Sequence, residues 1–323
     1  MKAVRIHEHG DEGVLRYEDA PDPAIGPDEV LVRVRAASIN RGDLGRRSFG
    51  FMIQSLPAII GWDIAGDVVD VGANVASLRV GQRVVAMVNG GGYAELAAAP
   101  AVLTVPIPDG VSYEEAASLP IAWLTAWISL LETARLKAGE TALVQAASSG
   151  VGMAGVQIAK HVAGATVFTT AGTDAKCARG LELGADYAVN YTTGDFVAEI
   201  MAKTGGKGVD VALDMVGGDV FKRTQQALAE DGRLVSVGRS SGQAAEVDAL
   251  TAEAKRQEVT TNWLVFVIKP QAELAADLAK ILDLIAAGKL KAVIDRVFPL
   301  AEAAAAHRYL GGRNQFGKVI LRP

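Results

Sequence analysis

The chain has 323 residues, enough for about two domains, and half of its residues are hydrophobic. Its formal net charge of −5 gives no overall electrostatic attraction for nucleic acid or an acidic membrane. The single cysteine, Cys177, excludes an internal disulfide and a cysteine-based zinc knuckle. No secretory signal is visible, and we expect a cytoplasmic protein with neither nucleic acid nor a membrane as partner.

The first 120 residues or so are predicted to be rich in short strands. Residues 2–6 and 29–36 alternate apolar with charged side chains, as half-buried strands do. Further short runs follow at 63–71, 83–87, 93–97 and 102–106, and glycine or proline punctuates each of them. Many short strands with little helix predict a small barrel-like β domain.

From Tyr113 onward the pattern changes to alternating strands and helices. Strands are predicted at 141–147, 166–171, 187–190, 209–215 and 232–237, and helices at 151–163, 174–183, 194–204 and 218–229. Segments of this length predict βαβ units and a parallel sheet. A sixth strand is predicted at 259–268, as an edge that pairs with another subunit or is covered within the chain. A helix at 271–287 and a strand–helix–strand tail then leave this rhythm.

One stretch, residues 141–160, carries a glycine motif between a short apolar run and a helical segment. Ser149 precedes the glycines Gly150, Gly152 and Gly155, and Val151 lies among them. In a strand–turn–helix, the first glycine permits the tight turn, the second a close backbone approach, and the third close helix packing. The N–H groups of the helix start would then hold a dinucleotide diphosphate. The alternative is a glycine-rich turn without a ligand.

Seven short segments together carry a resemblance to a known family: 40–44 (NRGDL), 61–66 (GWDIAG), 81–84 (GQRV), 90–95 (GGGYAE), 122–126 (AWLTA), 149–152 (SGVG) and 317–319 (GKV). The chain resembles the medium-chain dehydrogenase/reductase superfamily, and more narrowly its zinc-independent NADPH:quinone oxidoreductases. The resemblance covers nearly the whole chain. It implies an α/β fold with a GroES-like β-rich domain over 1–121 and 288–323. A Rossmann domain, with a doubly wound parallel sheet, would then span 122–287.

The same comparison predicts that no metal is bound. Zinc alcohol dehydrogenases place a cysteine and a Gly-His-Glu where this chain has Asn40 and Gly61-Trp62-Asp63. Their four-cysteine structural lobe is also missing. His7 and His9 could share one strand face, but two histidines without a third ligand make a poor zinc site, and a solvated face is the simpler interpretation.

The residues after the second Rossmann strand indicate which nicotinamide cofactor is used. Ala171 stands where an NAD enzyme usually has a carboxylate for the ribose 2′-hydroxyl. The resemblance implies that Gly172, Lys176 and Tyr191 surround the 2′-phosphate of NADPH. A charge-assisted bond from Lys176 would contribute about 1.5–3 kcal/mol, a tenfold to hundredfold preference for NADPH. The alternatives are a solvated helix lysine and a packing tyrosine.

The resemblance also implies where the chemistry takes place. Asn40 and Thr125 are expected near the nicotinamide, and Asp43 is a further catalytic candidate. Their structural alternatives are a turn asparagine, a threonine bonded to its own helix and a capping aspartate. Several relatives have a tyrosine where this chain has Phe51, which cannot donate a proton. Phe51, Trp62 and Trp263 are expected to form an aromatic acceptor pocket, with core packing as the alternative. Gly238 and Lys318 are expected to bind the cofactor.

These observations predict hydride transfer from NADPH to a quinone by a zinc-free enzyme that forms a homodimer. A second hypothesis is reduction of the carbon–carbon double bond of an enone or enoyl thioester, with the same fold and cofactor. A third is an NADPH-binding protein without catalysis. Substrate profiling separates the first two hypotheses, because they differ only in the small-molecule acceptor.

Overall fold

The computed structural model describes residues 1–261 and 269–323. The chain forms two compact units, Met1–Ala122 with Pro270–Pro323, and Trp123–Lys269. Trp263 and most of the expected strand at 259–268 lie outside the described residues. Within the described part of the chain, no helix is long and apolar enough to cross a membrane.

The strands of the described residues follow in chain order. They are β1 (Lys2–Ile6), β2 (Arg16–Asp19), β3 (Glu29–Ile39), β4 (Ala58–Ile59), β5 (Asp63–Val71), β6 (Arg83–Met87), β7 (Leu96–Pro100), β8 (Thr104–Pro106), β9 (Thr141–Val144), β10 (Thr166–Ala171), β11 (Tyr187–Asn190), β12 (Val209–Asp214), β13 (Leu228–Ser236), β14 (Glu258–Thr261), β15 (Ile294–Pro299) and β16 (Lys318–Arg322).

The α-helices of the same residues connect or cover these strands. They are α1 (Arg41–Phe49), α2 (Tyr113–Ala117), α3 (Pro120–Trp127), α4 (Gly150–Gln157), α5 (Asp174–Glu182), α6 (Phe196–Lys203), α7 (Gly218–Gln226), α8 (Ala249–Ala254), α9 (Gln271–Ala286) and α10 (Ala303–Gly311).

The first unit is built on β-sheets, as its alternating sequence predicts. A seven-stranded sheet has the order β15-β16-β3-β5-β6-β8, with β7 also paired to β3, and a smaller sheet has the order β2-β1-β4. Along β3, Val30, Val32 and Val34 are buried, whereas Arg33 and Arg35 are exposed. Burial of the valine face holds β3 in register at the centre of the sheet.

The second unit contains a six-stranded sheet with the order β11-β10-β9-β12-β13-β14, and every neighbouring pair is parallel. Counted from the first strand of the unit, this order is 3-2-1-4-5-6, the arrangement of dinucleotide-binding sheets. The order reverses between β9 and β12. Ligands of such sheets bind outside the carboxyl ends of the strands at that point.

The C-terminal part of the chain returns to the first unit. β16 pairs with β15 and with β3 of the larger sheet. The helix α9, which its sequence position would group with the nucleotide-binding domain, is part of the first compact unit. It packs against β8 and the turn Ala101–Leu103, and its apolar face, including Leu274, Leu278 and Ile281, is buried.

Candidate functional site

The glycine turn joins β9 to α4 at the carboxyl end of the parallel sheet. Ser149 caps the helix, because its Oγ accepts a hydrogen bond from the Gly152 N–H at 2.9 Å. A Cβ on Gly152 would lie 2.1 Å from the carbonyl oxygen of Ala146. No side chain fits there, so this turn requires glycine at position 152.

Gly155 acts one turn later, where the helix crosses the sheet. A Cβ at this position would lie 3.0 Å from Val144 Cγ1 and 3.2 Å from Leu213 Cδ2. The glycine therefore lets α4 lie close to β9 and β12, which fixes the direction of the helix start. Gly150 and Val151 form that start and are partly exposed.

The ends of β10 and β11 bring together the residues expected around a 2′-phosphate. Tyr191 lies against Gly172, since a Cβ on that glycine would be 2.8 Å from the tyrosine hydroxyl. Thr173 caps α5 and accepts a hydrogen bond from the Lys176 N–H at 3.2 Å, so Lys176 lies in the first helical turn. The buried Ala171 ends β10. These positions bring together one basic side chain and one phenol. The Asp174 carboxylate lies at the first position of α5, where its Oδ1 accepts a hydrogen bond from Asn190 Nδ2 at 2.7 Å.

A buried carboxylate that the sequence patterns do not single out holds the loop after β12. Asp214 accepts hydrogen bonds from the N–H groups of Val216 and Gly217 at 3.1 and 3.0 Å, and burial raises its pKa. The Val237 N–H bonds the Asp214 carbonyl at 2.8 Å. Gly238 follows, and a Cβ there would lie 3.0 Å from the Met215 carbonyl oxygen. The signal in the sequence that could have identified Asp214 was a single aspartate at the end of a buried strand, shortly before two consecutive glycines.

In the first unit, the amide of Asn40 is held between an acid and a base. Its Nδ2 donates to Asp63 Oδ2 at 2.7 Å, and its Oδ1 accepts from Lys318 Nζ at 2.5 Å. Because an ammonium only donates and a carboxylate only accepts, these partners assign the amide orientation. The Lys318 side chain is almost fully buried. The sequence predicts Lys318 as a cofactor-binding residue, whereas the structure places its ammonium against the Asn40 amide.

Asp43 holds the backbone of Asn40. Its Oδ2 accepts the Asn40 N–H at 2.8 Å, and its side chain is fully buried in the first turn of α1. Burial, offset in part by the bond from the Asn40 N–H and reinforced by the charge of Asp63, raises the pKa of Asp43 to about 7. Burial also raises the pKa of Asp63 and lowers that of Lys318.

A second buried chain of polar groups approaches Asp43. Arg47 Nη1 lies 3.5 Å from His307 Nδ1, and His307 Nε2 lies 3.2 Å from the Tyr93 hydroxyl. Arginine only donates, so His307 accepts at Nδ1 and donates from Nε2 to Tyr93. Burial lowers the pKa of His307 to about 3, which keeps the ring neutral. Burial, followed by the Asp43 charge, raises the pKa of Tyr93 well above its usual value.

Two of the three expected aromatic pocket residues lie together. The rings of Phe51 and Trp62 are 6.2 Å apart in an edge-to-face arrangement. Trp62 packs on α1 at Gly42, where a Cβ would lie 2.3 Å from the ring. Thr125, the remaining catalytic candidate, is buried in α3. Within residues 1–261 and 269–323, no group of three potential ligands is placed to hold a metal ion.

Comparisons with known proteins match both units. The family model described as alcohol dehydrogenase GroES-like domain matches residues 26–109, and the model described as zinc-binding dehydrogenase matches residues 183–321. The crystal structure of Escherichia coli quinone oxidoreductase complexed with NADPH is 32% identical, with a TM-score of 0.94 and full coverage of both chains. The chain belongs to the zinc-independent quinone oxidoreductases. This confirms the predicted superfamily and its architecture of a GroES-like domain and a Rossmann sheet.

Other relatives of the chain have names that refer to different activities. A 2-haloacrylate reductase from Burkholderia sp is 30% identical over 100% of this chain and 99% of its own length. A phenolphthiocerol/phthiocerol polyketide synthase protein of Mycobacterium tuberculosis is 37% identical over 98% of this chain. The chain spans only 14% of that much longer synthase protein. The superfamily thus supports an oxidoreductase, and its acceptor has to be argued from the site.

Proposed function

We propose that this zinc-free enzyme transfers a hydride from NADPH to a quinone. The observation that carries the proposal is the turn at Gly152, which admits no Cβ, at the start of α4 beside the switch point of the sheet. Backbone N–H groups at such a helix start favour a diphosphate, because the helix dipole and the unpaired donors act together. The residues present therefore fit the cofactor.

Selection for NADPH is assigned to the ends of β10 and β11. We propose that Lys176 donates to the 2′-phosphate and that Tyr191, lying against Gly172, covers the adenosine side. Ala171 removes the carboxylate that would repel a phosphate. Ser149, Gly150, Val151 and Gly238 would contact the remaining cofactor atoms through their backbone or hydroxyl groups. That set follows from their positions at the carboxyl ends of the strands.

The acceptor is oriented by Asn40 in this proposal. When bound, NADPH supplies the hydride, and negative charge then develops on the acceptor carbonyl oxygen. Asn40 Nδ2 carries two protons, of which Asp63 accepts one, and we assign the other to that oxygen. Lys318 donates to the amide oxygen and so polarises the amide towards the acceptor. Asp43 holds the Asn40 backbone and is a positioning residue.

The remaining expected residues complete the proposal. Thr125 would contact the nicotinamide, and the edge-to-face pair Phe51 and Trp62 would flank a planar acceptor. Since Phe51 has no hydroxyl, the proton for the reduced acceptor comes from solvent or a ribose hydroxyl. Trp263 is proposed as a third wall from the sequence alone.

Reduction of an activated carbon–carbon double bond is the second candidate. The similarity to a 2-haloacrylate reductase over the whole chain favours it. The same Asn40 amide would then stabilise the charge that develops on a conjugated carbonyl oxygen. Cofactor binding without turnover of either acceptor class is the third candidate, and a panel of acceptors separates the three.

We expect the purified chain to oxidise NADPH with an ortho-quinone, with no loss of rate in the presence of a chelator. NADH should be a poorer donor by tenfold to a hundredfold, because it lacks the phosphate that Lys176 would bind. The nicotinamide absorbance measures both rates. Saturable NADPH binding without quinone turnover would move the assignment to double-bond reduction.

The same assay tests the origin of the cofactor preference. Lys176→Ala should raise KM for NADPH by tenfold to a hundredfold and leave KM for NADH unchanged. The matched control is Lys222→Ala, which removes a half-exposed lysine of α7 that pairs with Glu246 at 3.0 Å. This control should leave both constants unchanged. Equal damage with both cofactors would contradict the phosphate assignment.

We further propose that the enzyme is a cytoplasmic homodimer that pairs through the β14 edge. β14 ends the strand order of the second unit's sheet, and a parallel edge strand presents unpaired backbone groups. A proline in place of Thr260 would remove one of its N–H groups and should shift the dimer towards monomer. Light scattering after size exclusion measures the mass, and an unchanged dimer mass in this variant would exclude the β14 edge.

A further inference from the structure

Arg46 is a buried arginine with poor hydrogen bonding. The residue is 3% exposed, and its Nε and Nη1 atoms have no hydrogen-bond partner among residues 1–261 and 269–323. Its Nη2 donates to the carbonyl oxygens of Met52 and Asn89, at 3.5 and 3.4 Å. Both distances are at the long limit for an N–H···O bond. Most of the five donors of this guanidinium are therefore left without an acceptor.

The surroundings of Arg46 offset only part of its charge. The guanidinium lies over the ring of Trp62 at 4.9 Å from the centroid, which is a favourable cation–π contact. Asp43 is the carboxylate that acts on it, and that side chain already accepts the Asn40 N–H. A buried cation without a hydrogen-bonded counter-ion is unfavourable, so an anion that reached it would be bound well.

Arg46 lines a cavity of about 510 Å³ in the first unit, a volume suited to a small organic molecule. Two other charged side chains line it, and each has its own partner. Arg5 pairs with Glu18 at 3.1 Å, and Asp22 pairs with the N-terminal amine at 2.8 Å. Among the charged residues that line this cavity, Arg46 is the one whose charge is left for a ligand.

Arg46 is connected through Trp62 to the group that we assign to the acceptor carbonyl. Trp62 contacts Arg46 on its ring face, and the next residue, Asp63, holds the Asn40 amide at 2.7 Å. Gly90 lies on the cavity wall near the guanidinium, and a Cβ there would be 3.2 Å from Arg46 Nη2. Glycine at this position keeps the wall open next to the cation.

We propose that Arg46 binds a carboxylate group of the acceptor. The preferred substrates would then be planar electrophiles that carry a carboxylate, such as a quinone carboxylic acid. The proposal names the substrate class of the function proposed above and rests on it. A bidentate guanidinium–carboxylate pair supplies both charge and direction, so it would orient the ring as well as hold it.

Binding of an unreactive ligand tests the anion site without turnover. Isothermal titration of the intact protein should show 2-naphthoate binding and at least tenfold weaker binding of the neutral 2-naphthamide. Arg46→Met should weaken naphthoate binding by tenfold to a hundredfold. Arg5→Met is the control, because it removes a paired arginine from the same cavity, and it should bind normally. Equal binding of both ligands, or binding that survives in Arg46→Met, would overturn the proposal.

Unliganded stability separates a ligand-binding role from a structural one. Arg46→Met replaces an underpaired buried cation by an apolar side chain, so its melting temperature should be equal to or higher than that of the wild type. A large fall would mean that Arg46 serves the fold, and the anion site would be rejected. Arg46→Lys keeps the charge and should retain part of the naphthoate affinity.

Kinetics with matched acceptors distinguish failure of this inference from failure of the proposed function. The wild type should have a KM for 1,4-naphthoquinone-2-carboxylate at least tenfold below that for 1,4-naphthoquinone, and Arg46→Met should remove the difference. Turnover of both quinones with equal KM would overturn the acidic substrate class and leave quinone reduction standing. Naphthoate binding through Arg46 without quinone turnover would support the anion site and reject the quinone.

Discussion

Gly152→Ala should abolish NADPH binding and lower the free energy of unfolding. The new Cβ would lie 2.1 Å from the Ala146 carbonyl oxygen and 2.8 Å from that of Gln145, both in the turn that precedes α4. Backbone atoms cannot move aside as a side chain can, so the turn has to open. We expect a loss of about 2–4 kcal/mol, at the upper end of strain effects in a packed interior. Urea unfolding and fluorescence titration with NADPH measure the two effects.

A glycine elsewhere shows what alanine does when there is room. Gly311 ends α10, and its Cβ would meet only Leu44 Cδ2 at 3.8 Å. Gly311→Ala should therefore be neutral or stabilising by up to about 1 kcal/mol. Gly155→Ala should lie between the two, since its neighbours are the side chains of Val144 and Leu213. Normal NADPH affinity in Gly152→Ala would reject the turn as the diphosphate site.

Lys318→Met should be the most damaging change in the first unit. It leaves Asp63 fully buried without the cation 3.8 Å away, and it removes the donor to Asn40 Oδ1. Breaking a buried pair from one side costs about 3–5 kcal/mol. The loss should be smaller at acid pH and grow as the pH rises, because the Asp63 carboxyl, whose pKa burial already raises, can then be neutralised only by a proton. Urea unfolding across pH measures it.

A double variant isolates the pair from the packing of the lysine stem. Lys318→Met with Asp63→Asn removes both charges and should recover a large part of the stability lost in Lys318→Met. We expect kcat to stay low in both variants, because neither restores the donor to the Asn40 amide. Lys289→Met, at an exposed lysine of the same unit, is the control and should match the wild type. Additive losses in the double variant would show that the two charges act independently.

Many of the strands and helices of the second unit could be predicted from the sequence. The predicted strands at 166–171 and 187–190 coincide with β10 and β11. Parallel strands covered on both faces are short apolar runs, and the helices between them have a different period, so the two kinds of segment separate cleanly. The glycine motif also predicted the strand–turn–helix, because each glycine is required by a local steric constraint.

The side-chain contacts of the first unit could not be predicted from local sequence patterns. Asn40 and Lys318 are 278 residues apart, and no local pattern says that they meet. The resemblance drew attention to both, but their mutual contact depends on how β16 pairs with β3. The underpaired state of Arg46 is equally invisible in sequence, because it depends on which acceptors fail to reach it. Local preferences fix elements, whereas such pairs follow from the assembled sheet.

The return of β16 to the larger sheet has a consequence for synthesis of the chain on the ribosome. β16 pairs with residues 37–39 of β3, so that end of β3 lacks a neighbour until β16 has been made. At about 5–20 residues per second, the 278 residues between Ile39 and Lys318 take on the order of 14–56 s to make. The contiguous unit Trp123–Lys269 has no such wait. Nascent chains should therefore expose this end of β3 to chaperones or to other chains, while the nucleotide-binding sheet has already formed.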